Sequence, residues 1–127
     1  MSSDPVNRAD PPPASDLVFR ALANPTRRAL LDHLRDRPRT TGALCDLVPE
    51  LDRTTVMQHL RVLEAAGLVV VERRGRERWN HLDALPIQAL QDRWIGPYAA
   101  HAAAMLAGLK RAAEDGQPQD RDKALPD

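Results

Sequence analysis

Aromatic side chains are nearly absent: Phe19, Trp79, Trp94 and Tyr98 are the whole set. A core here must rest on Leu, Val and Ala, which favours packed helices over a β-sandwich. A single cysteine, Cys45, excludes an internal disulfide, a redox pair and a thiolate metal cage. No apolar run approaches the roughly 18 residues of a membrane span, and Met1 to Pro5 carry no basic-then-apolar export pattern. A cytoplasmic protein with no membrane partner is expected. Glycine-rich phosphate loops, nucleophile elbows and paired-carboxylate motifs are also missing, so neither a catalytic residue nor a cofactor is expected. Lysine is scarce as well, with two against sixteen arginines, and only arginine offers a planar fork for phosphate or guanine.

What is present fits one soluble domain. The 127 residues are 43% hydrophobic and 28% charged, an ordinary globular balance. The net charge of zero is unevenly spread. Arg53, Arg61, Arg73, Arg74, Arg76 and Arg78 outweigh Glu64, Glu72 and Glu77 in the middle, whereas acids dominate after Ala112. A basic middle with an acidic tail suits a polyanion-binding core. Residues 1–15, with four prolines among Ser, Asp and Asn, read as a disordered arm, and residues 116–127 as a disordered acidic tail. The domain between them, 16–115, is small enough that a second copy would help bury its apolar surface.

Along that domain, Asp16 is placed to cap a short helix ending at Asn24. Asn24 then caps a second, with Pro25 in its first turn and Leu30, Leu31 and Leu34 inward, closed by Pro38. Thr40 or Thr41 caps a third, with Leu44 and Leu47 inward, ended by Pro49. Asp52 caps a fourth, on which Val56, Leu60 and Leu63 share one face and after which Gly67 supplies the stop. The short PELD turn between the third and fourth makes a helix-turn-helix. β-branched residues around Arg74-Gly75 predict a two-stranded hairpin. From Pro86 to Ala113 the pattern is helical again, and Gly96-Pro97 should kink or break it.

With Val56 inward, Thr54, Gln58 and Arg61 point away from the core, flanked by Arg53, Thr55 and Met57. A polar outer face is what any amphipathic helix shows. Yet this one carries groups suited to base edges: Gln for adenine, Arg for guanine and Thr for a thymine methyl. Arg73, Arg74, Arg76 and Arg78 around Gly75 would repel one another unless phosphates or a minor groove neutralise them, although charged hairpin tips also serve solubility.

Three segments carry a family resemblance: Ala21-Leu-Ala-Asn-Pro-Thr-Arg-Arg28, Val56-Met-Gln-His-Leu-Arg-Val-Leu-Glu-Ala-Ala-Gly-Leu68 and Gly75-Arg-Glu-Arg-Trp-Asn-His-Leu82. In this order they resemble the ArsR-type winged helix-turn-helix regulators, from about Asp16 to Ala113. The resemblance implies a mostly α fold with a small β-hairpin wing, dimerising through terminal helices. It implies a homodimer that binds double-stranded DNA at an inverted-repeat operator, usually as a repressor. By motif position it puts Arg53, Thr54, Thr55, Gln58, His59 and Arg61 on the recognition helix and Arg74, Gly75, Arg76 and Arg78 on the wing. Relatives often carry Ser and Lys or Arg where this chain has Met57 and Gln58, so no operator sequence carries over.

The apolar stripe Ile87, Leu90, Trp94, Tyr98, Met105 and Leu109, with Leu17 and Leu22 of the first helix, is the expected dimer interface. Many relatives sense metals. A thiol-type site resembles Cys-Val-Cys-Asp-Leu-Cys, of which Ala43-Leu44-Cys45-Asp46-Leu47-Val48 keeps one sulfur. A last-helix zinc site resembles Asp-x-His with a later His-x-x-Glu, but Arg93-Trp94 follow Asp92 and three alanines follow His101. No metal site is expected, a metal-responsive repressor standing as the alternative. The other alternative is a winged helix used as a protein-interaction or dimerisation module, against which the basic wing speaks. The releasing signal has three candidates: an unknown small-molecule effector near Trp94 and Tyr98, oxidation of Cys45, or the protein's own concentration.

Overall fold

A computed structural model of the chain describes residues 13–116. Most of the arm and nearly all of the tail expected at the ends lie outside the described residues. Helix α1 runs Ala14–Leu22. It starts two residues before Asp16, which lies in its first turn and caps nothing; the residue at the cap position is Pro13, with an extended ψ of 154°. Proline fixes φ near helical values without needing a partner for an amide proton, so the chain enters the helix there.

The Asn-Pro-Thr-Arg-Arg segment then closes α1 and opens α2, Pro25–Leu34. Asn24 Oδ1 accepts from the Arg27 amide at 3.0 Å. The Arg27 guanidinium donates to the carbonyls of Ala21 and Arg20 at 2.8 and 2.9 Å, and Arg28 to that of Leu22 at 2.7 Å. Two arginines thus satisfy the carbonyls that a helix end leaves without partners. α2 stops at Leu34, well before Pro38, with the Arg35 amide closing on the Asp32 carbonyl and Arg39 Nε donating to the His33 carbonyl at 2.7 Å.

Thr40, the expected cap, accepts from the Ala43 amide at 3.1 Å and opens α3, Thr41–Leu47. Leu44 is fully buried, but Leu47 is 40% exposed and Val48 takes the inward place. Val48 is the C-cap residue, with φ −129° and ψ 63°, so its inward place is set by the chain leaving the helix and not by helical period. Helix α4, Arg53–Ala65, is capped by Asp52, whose Oδ1 accepts from the Thr55 amide at 2.7 Å; that bond lowers the Asp52 pKa. At its far end Gly67, with φ of +80°, lets the Leu68 amide reach the Leu63 carbonyl at 2.9 Å and the Gly67 amide that of Glu64 at 3.0 Å. This paired closure needs a left-handed residue, which glycine adopts without strain.

The core is aliphatic apart from Thr41 and Asn80: Leu30, Leu31 and Leu34 of α2, Leu44 of α3, and Val56, Leu60 and Leu63 of α4 are buried. Each such leucine contributes about 1.5 to 3 kcal/mol. The hairpin consists of β2, Val69–Arg74, and β3, Glu77–Leu82, joined by Gly75-Arg76 with Gly75 at φ +61°. A third strand went unanticipated: β1, Arg39–Thr40, pairs with β3, giving the order β1-β3-β2. Two residues carry no periodicity, and this pairing is settled by Asn80. Its buried side-chain amide donates to the Arg39 carbonyl at 3.2 Å and to Thr41 Oγ1 at 3.1 Å. Asn80→Ala should therefore destabilise the fold by about 1 to 3 kcal/mol in urea titration, since both acceptors lose a buried donor.

The described chain divides into two compact units between Ala89 and Leu90. Helix α5, Leu85–Leu90, precedes a π-helical turn, Gln91–Ile95, and helix α6, Gly96–Glu114. Where a kink or break is expected at Gly96-Pro97, the α-helical bonding gives way to this π turn and the chain stays helical. The Gly96 amide bonds the Gln91 carbonyl across the wider turn, and the helix continues past a proline that has no amide to give. A Cβ on Gly96 would lie 2.9 Å from that carbonyl oxygen, so the turn requires glycine. Leu90 is 3% exposed within its own chain, which removes it from any surface a partner could use. α6, by contrast, buries none of its residues, and Tyr98, Met105, Leu106 and Leu109 are exposed. The Trp94 and Tyr98 rings lie parallel at 6.1 Å, with the Arg93 guanidinium 4.2 Å from the Trp94 centroid.

Candidate nucleic-acid interface

Helices α3 and α4 are joined by the tight turn 48–52, closed by the Leu51 amide on the Val48 carbonyl at 3.0 Å. With Val56, Leu60 and Leu63 buried, α4 turns Arg53, Thr54, Gln58 and Arg61 to solvent, as its periodicity predicts. Thr55 is half-buried, its amide engaged in the Asp52 cap.

His59 departs from the expected outward set. It is half-buried, and its Nδ1 lies 3.3 Å from the Arg27 guanidinium. Arginine has no lone pair to give, so Nδ1 is the acceptor and the ring is neutral with its proton on Nε2. Burial first, and then the Arg27 charge, hold its pKa below the ordinary 6.5. Histidine in the unfolded chain titrates near 6.5 and takes up protons first as pH falls. The His59 contribution to stability should thus be complete at neutral pH and decline as pH drops through 6.5 toward the lower folded value. Urea midpoints measured between pH 7.5 and 5.5 should fall less steeply for His59→Gln than for the wild type.

The wing divides its arginines by face. Register pairs Arg74 with Glu77, Arg73 with Arg78, Glu72 with Trp79 and Val70 with His81. Side chains alternate along a strand, so Glu72, Arg74, Glu77, Trp79 and His81 fall on one face. These residues satisfy one another. Arg74 donates to Glu72 at 2.9 Å and sits 4.7 Å from the Trp79 ring centroid, His81 Nε2 lies 2.9 Å from Glu72, and Trp79 Nε1 donates to Glu77 at 3.2 Å. Arg74 chiefly, and His81 next, depress the Glu72 pKa, while Glu72 raises that of Arg74. Arg74, expected to face DNA, is therefore tied into the wing's own network.

Arg73 and Arg78 fall on the other face, toward the helices. Arg78 is the less exposed, with its guanidinium 3.7 Å from Glu64 of α4 and its Nε buried without a hydrogen-bond partner. Together with Arg53 and Arg76 they line a groove of about 260 Å³ beside Thr40 and Gly42. Arg73 was not among the site residues expected from motif position. The signal that could have found it is strand alternation, which separates 73 from 74 once the turn is placed at 75–76.

Among the described residues no three His, Cys, Asp or Glu side chains cluster as a metal ion needs, and Cys45 is a half-buried free thiol on α3. Metal analysis of protein purified without chelator should find well below one ion per chain, and added zinc should leave DNA affinity unchanged.

A helix-turn-helix with an exposed polar recognition face and a basic three-stranded wing is a winged helix-turn-helix. A family model described as a helix-turn-helix domain matches residues 22–72. The HTH-type transcriptional regulator YuzN of Bacillus subtilis is 36% identical over 86 residues, which cover 63% of this chain and 94% of that one. The HTH-type transcriptional repressor SmtB of Mycobacterium tuberculosis is 42% identical over 72 residues, and the match spans only 53% of each protein. Among solved structures, an ArsR-like transcriptional regulator from Rhodococcus sp. RHA1 superposes with a TM-score of 0.61 at 27% identity, covering 79% of this chain and 92% of that one. The chain belongs to the ArsR family of winged helix-turn-helix transcriptional regulators, whose members are DNA-binding proteins.

Proposed function

We propose that the protein represses transcription in the cytoplasm by occupying an operator as a homodimer, α4 lying in the major groove and the wing on the adjacent backbone or minor groove. The reading rests above all on the exposed face of α4, where Arg53, Thr54, Gln58 and Arg61 offer a mixed set of donors and acceptors beside a basic wing. It is one of binding and not of catalysis. The repressor sense is supported by the name of the SmtB relative. A second copy is supported by α6, a 19-residue helix with no buried residue and an apolar row of Tyr98, Met105 and Leu109. Two half-sites related by a dyad follow, since a symmetric dimer reads each half with an identical helix. Footprinting on DNA from upstream of its own reading frame should show two protected stretches with inverted symmetry about one helical turn apart. A single asymmetric footprint would overturn the dimeric part, and no protection on any duplex, selected from random sequence or natural, would overturn the whole.

A further inference from the structure

Beyond base reading, the wing and α4 share a groove in which four arginines meet one lining acid, while a second acid, Glu64, reaches Arg78 only at 3.7 Å. Arg73 and Arg78 stand directly opposite across the hairpin, an arrangement that like charges disfavour. Arg53 approaches from the first turn of the 13-residue α4, where the helix dipole adds positive potential, and Arg76 from the turn. The single acid lining the groove, Glu77, is engaged with Trp79 on the other face of the hairpin. Arg78 Nε is buried and unpartnered. The groove's volume of about 260 Å³ exceeds several waters at about 30 Å³ each, enough for one phosphodiester group.

We propose that this groove holds a single DNA backbone phosphate in each half-site, shared by Arg53 of the recognition helix and Arg73 and Arg78 of the wing. The inference rests on the DNA-binding reading above and assigns this site within it. A shared phosphate neutralises the opposed arginine pair and supplies an acceptor to the guanidinium of Arg78. It also joins the wing to α4 through one anion, so the wing's position follows from the backbone register that α4 selects.

Counterion release counts the phosphates neutralised and not the arginines that neutralise them. Take the full chain, a duplex recovered by selection from random sequence, and the variants Arg53→Ala, Arg73→Ala and their double; both side chains are exposed, so the variants should fold. Each single variant and the double should weaken binding yet leave the slope of log K against log salt nearly unchanged, because Arg78 still neutralises the shared phosphate. Replacing backbone phosphates one at a time by neutral methylphosphonates should reveal one linkage per half-site that weakens wild-type binding about tenfold. At that linkage neither variant should lose anything further. Slopes that fall by about 0.9 per half-site in each single variant and by twice that in the double, or variants that map to different linkages, would overturn the shared site while leaving DNA binding intact. Failure of selection to enrich any duplex would instead remove the reading on which the site rests.

Discussion

Met105→Glu with Leu109→Glu should produce a monomer whose affinity for a two-half-site operator is lower by about 10² to 10⁴-fold, while binding to an isolated half-site is retained. Both residues lie on α6 and are 60% and 68% exposed, so a charge there disturbs no packing within the chain. Tyr98, Met105 and Leu109, spaced seven and four apart, line one side of a helix, and Leu106 widens the strip. An exposed apolar strip of that length marks an interaction surface. A dimer converts the second half-site contact into an intramolecular one, which is where the large factor originates. Leu90, by contrast, is unsuitable for this test, because a charge at a buried position would unfold the chain before it separated two copies. Sedimentation of the wild type as a monomer at micromolar concentration, or unchanged operator binding by the double variant, would refute the dimer.

Gln58→Ala should cost about 1 to 3 kcal/mol on the preferred duplex and little on random DNA, relaxing preference at one base pair per half-site. Arg76→Ala should weaken both duplexes alike, because a wing-tip arginine meets phosphate or a narrow groove and not a base edge. Gln58 is exposed on the face of α4 opposite Val56, Leu60 and Leu63, so its amide is free to pair with a base. The neighbour able to substitute for Arg76 is Arg73, which lines the same groove, and not Arg74, which is held by Glu72 and Trp79. The informative control is therefore Arg73→Ala with Arg76→Ala. Base preferences that survive Gln58→Ala but vanish in the wing variants would reverse the division of labour between helix and wing.

The parts that sequence determined alone are those decided within a few residues. Asn24, Thr40 and Asp52 each cap the helix that follows by accepting an amide three positions on, so the cap is written locally. Gly67 ends α4 by a backbone conformation that its neighbours cannot adopt cheaply, and the face of α4 follows from helical period. Those features, with the three motif segments, were enough for the fold and the family.

Tertiary structure decided whatever depends on contacts far apart in the chain or on register. Motif position assigns His59 to the DNA-facing set, but its Nδ1 accepts from Arg27, 32 residues earlier, which fixes its tautomer. β1 exists because Asn80 reaches back to Arg39 and Thr41, a pairing that two residues of sequence cannot announce. The wing shows the point most sharply, since a shift of one residue in the turn exchanges the two faces of a strand. Composition places four arginines at the hairpin; only the register, Arg73 opposite Arg78 and Arg74 opposite Glu77, sends one pair toward α4 and ties Arg74 into the opposite face.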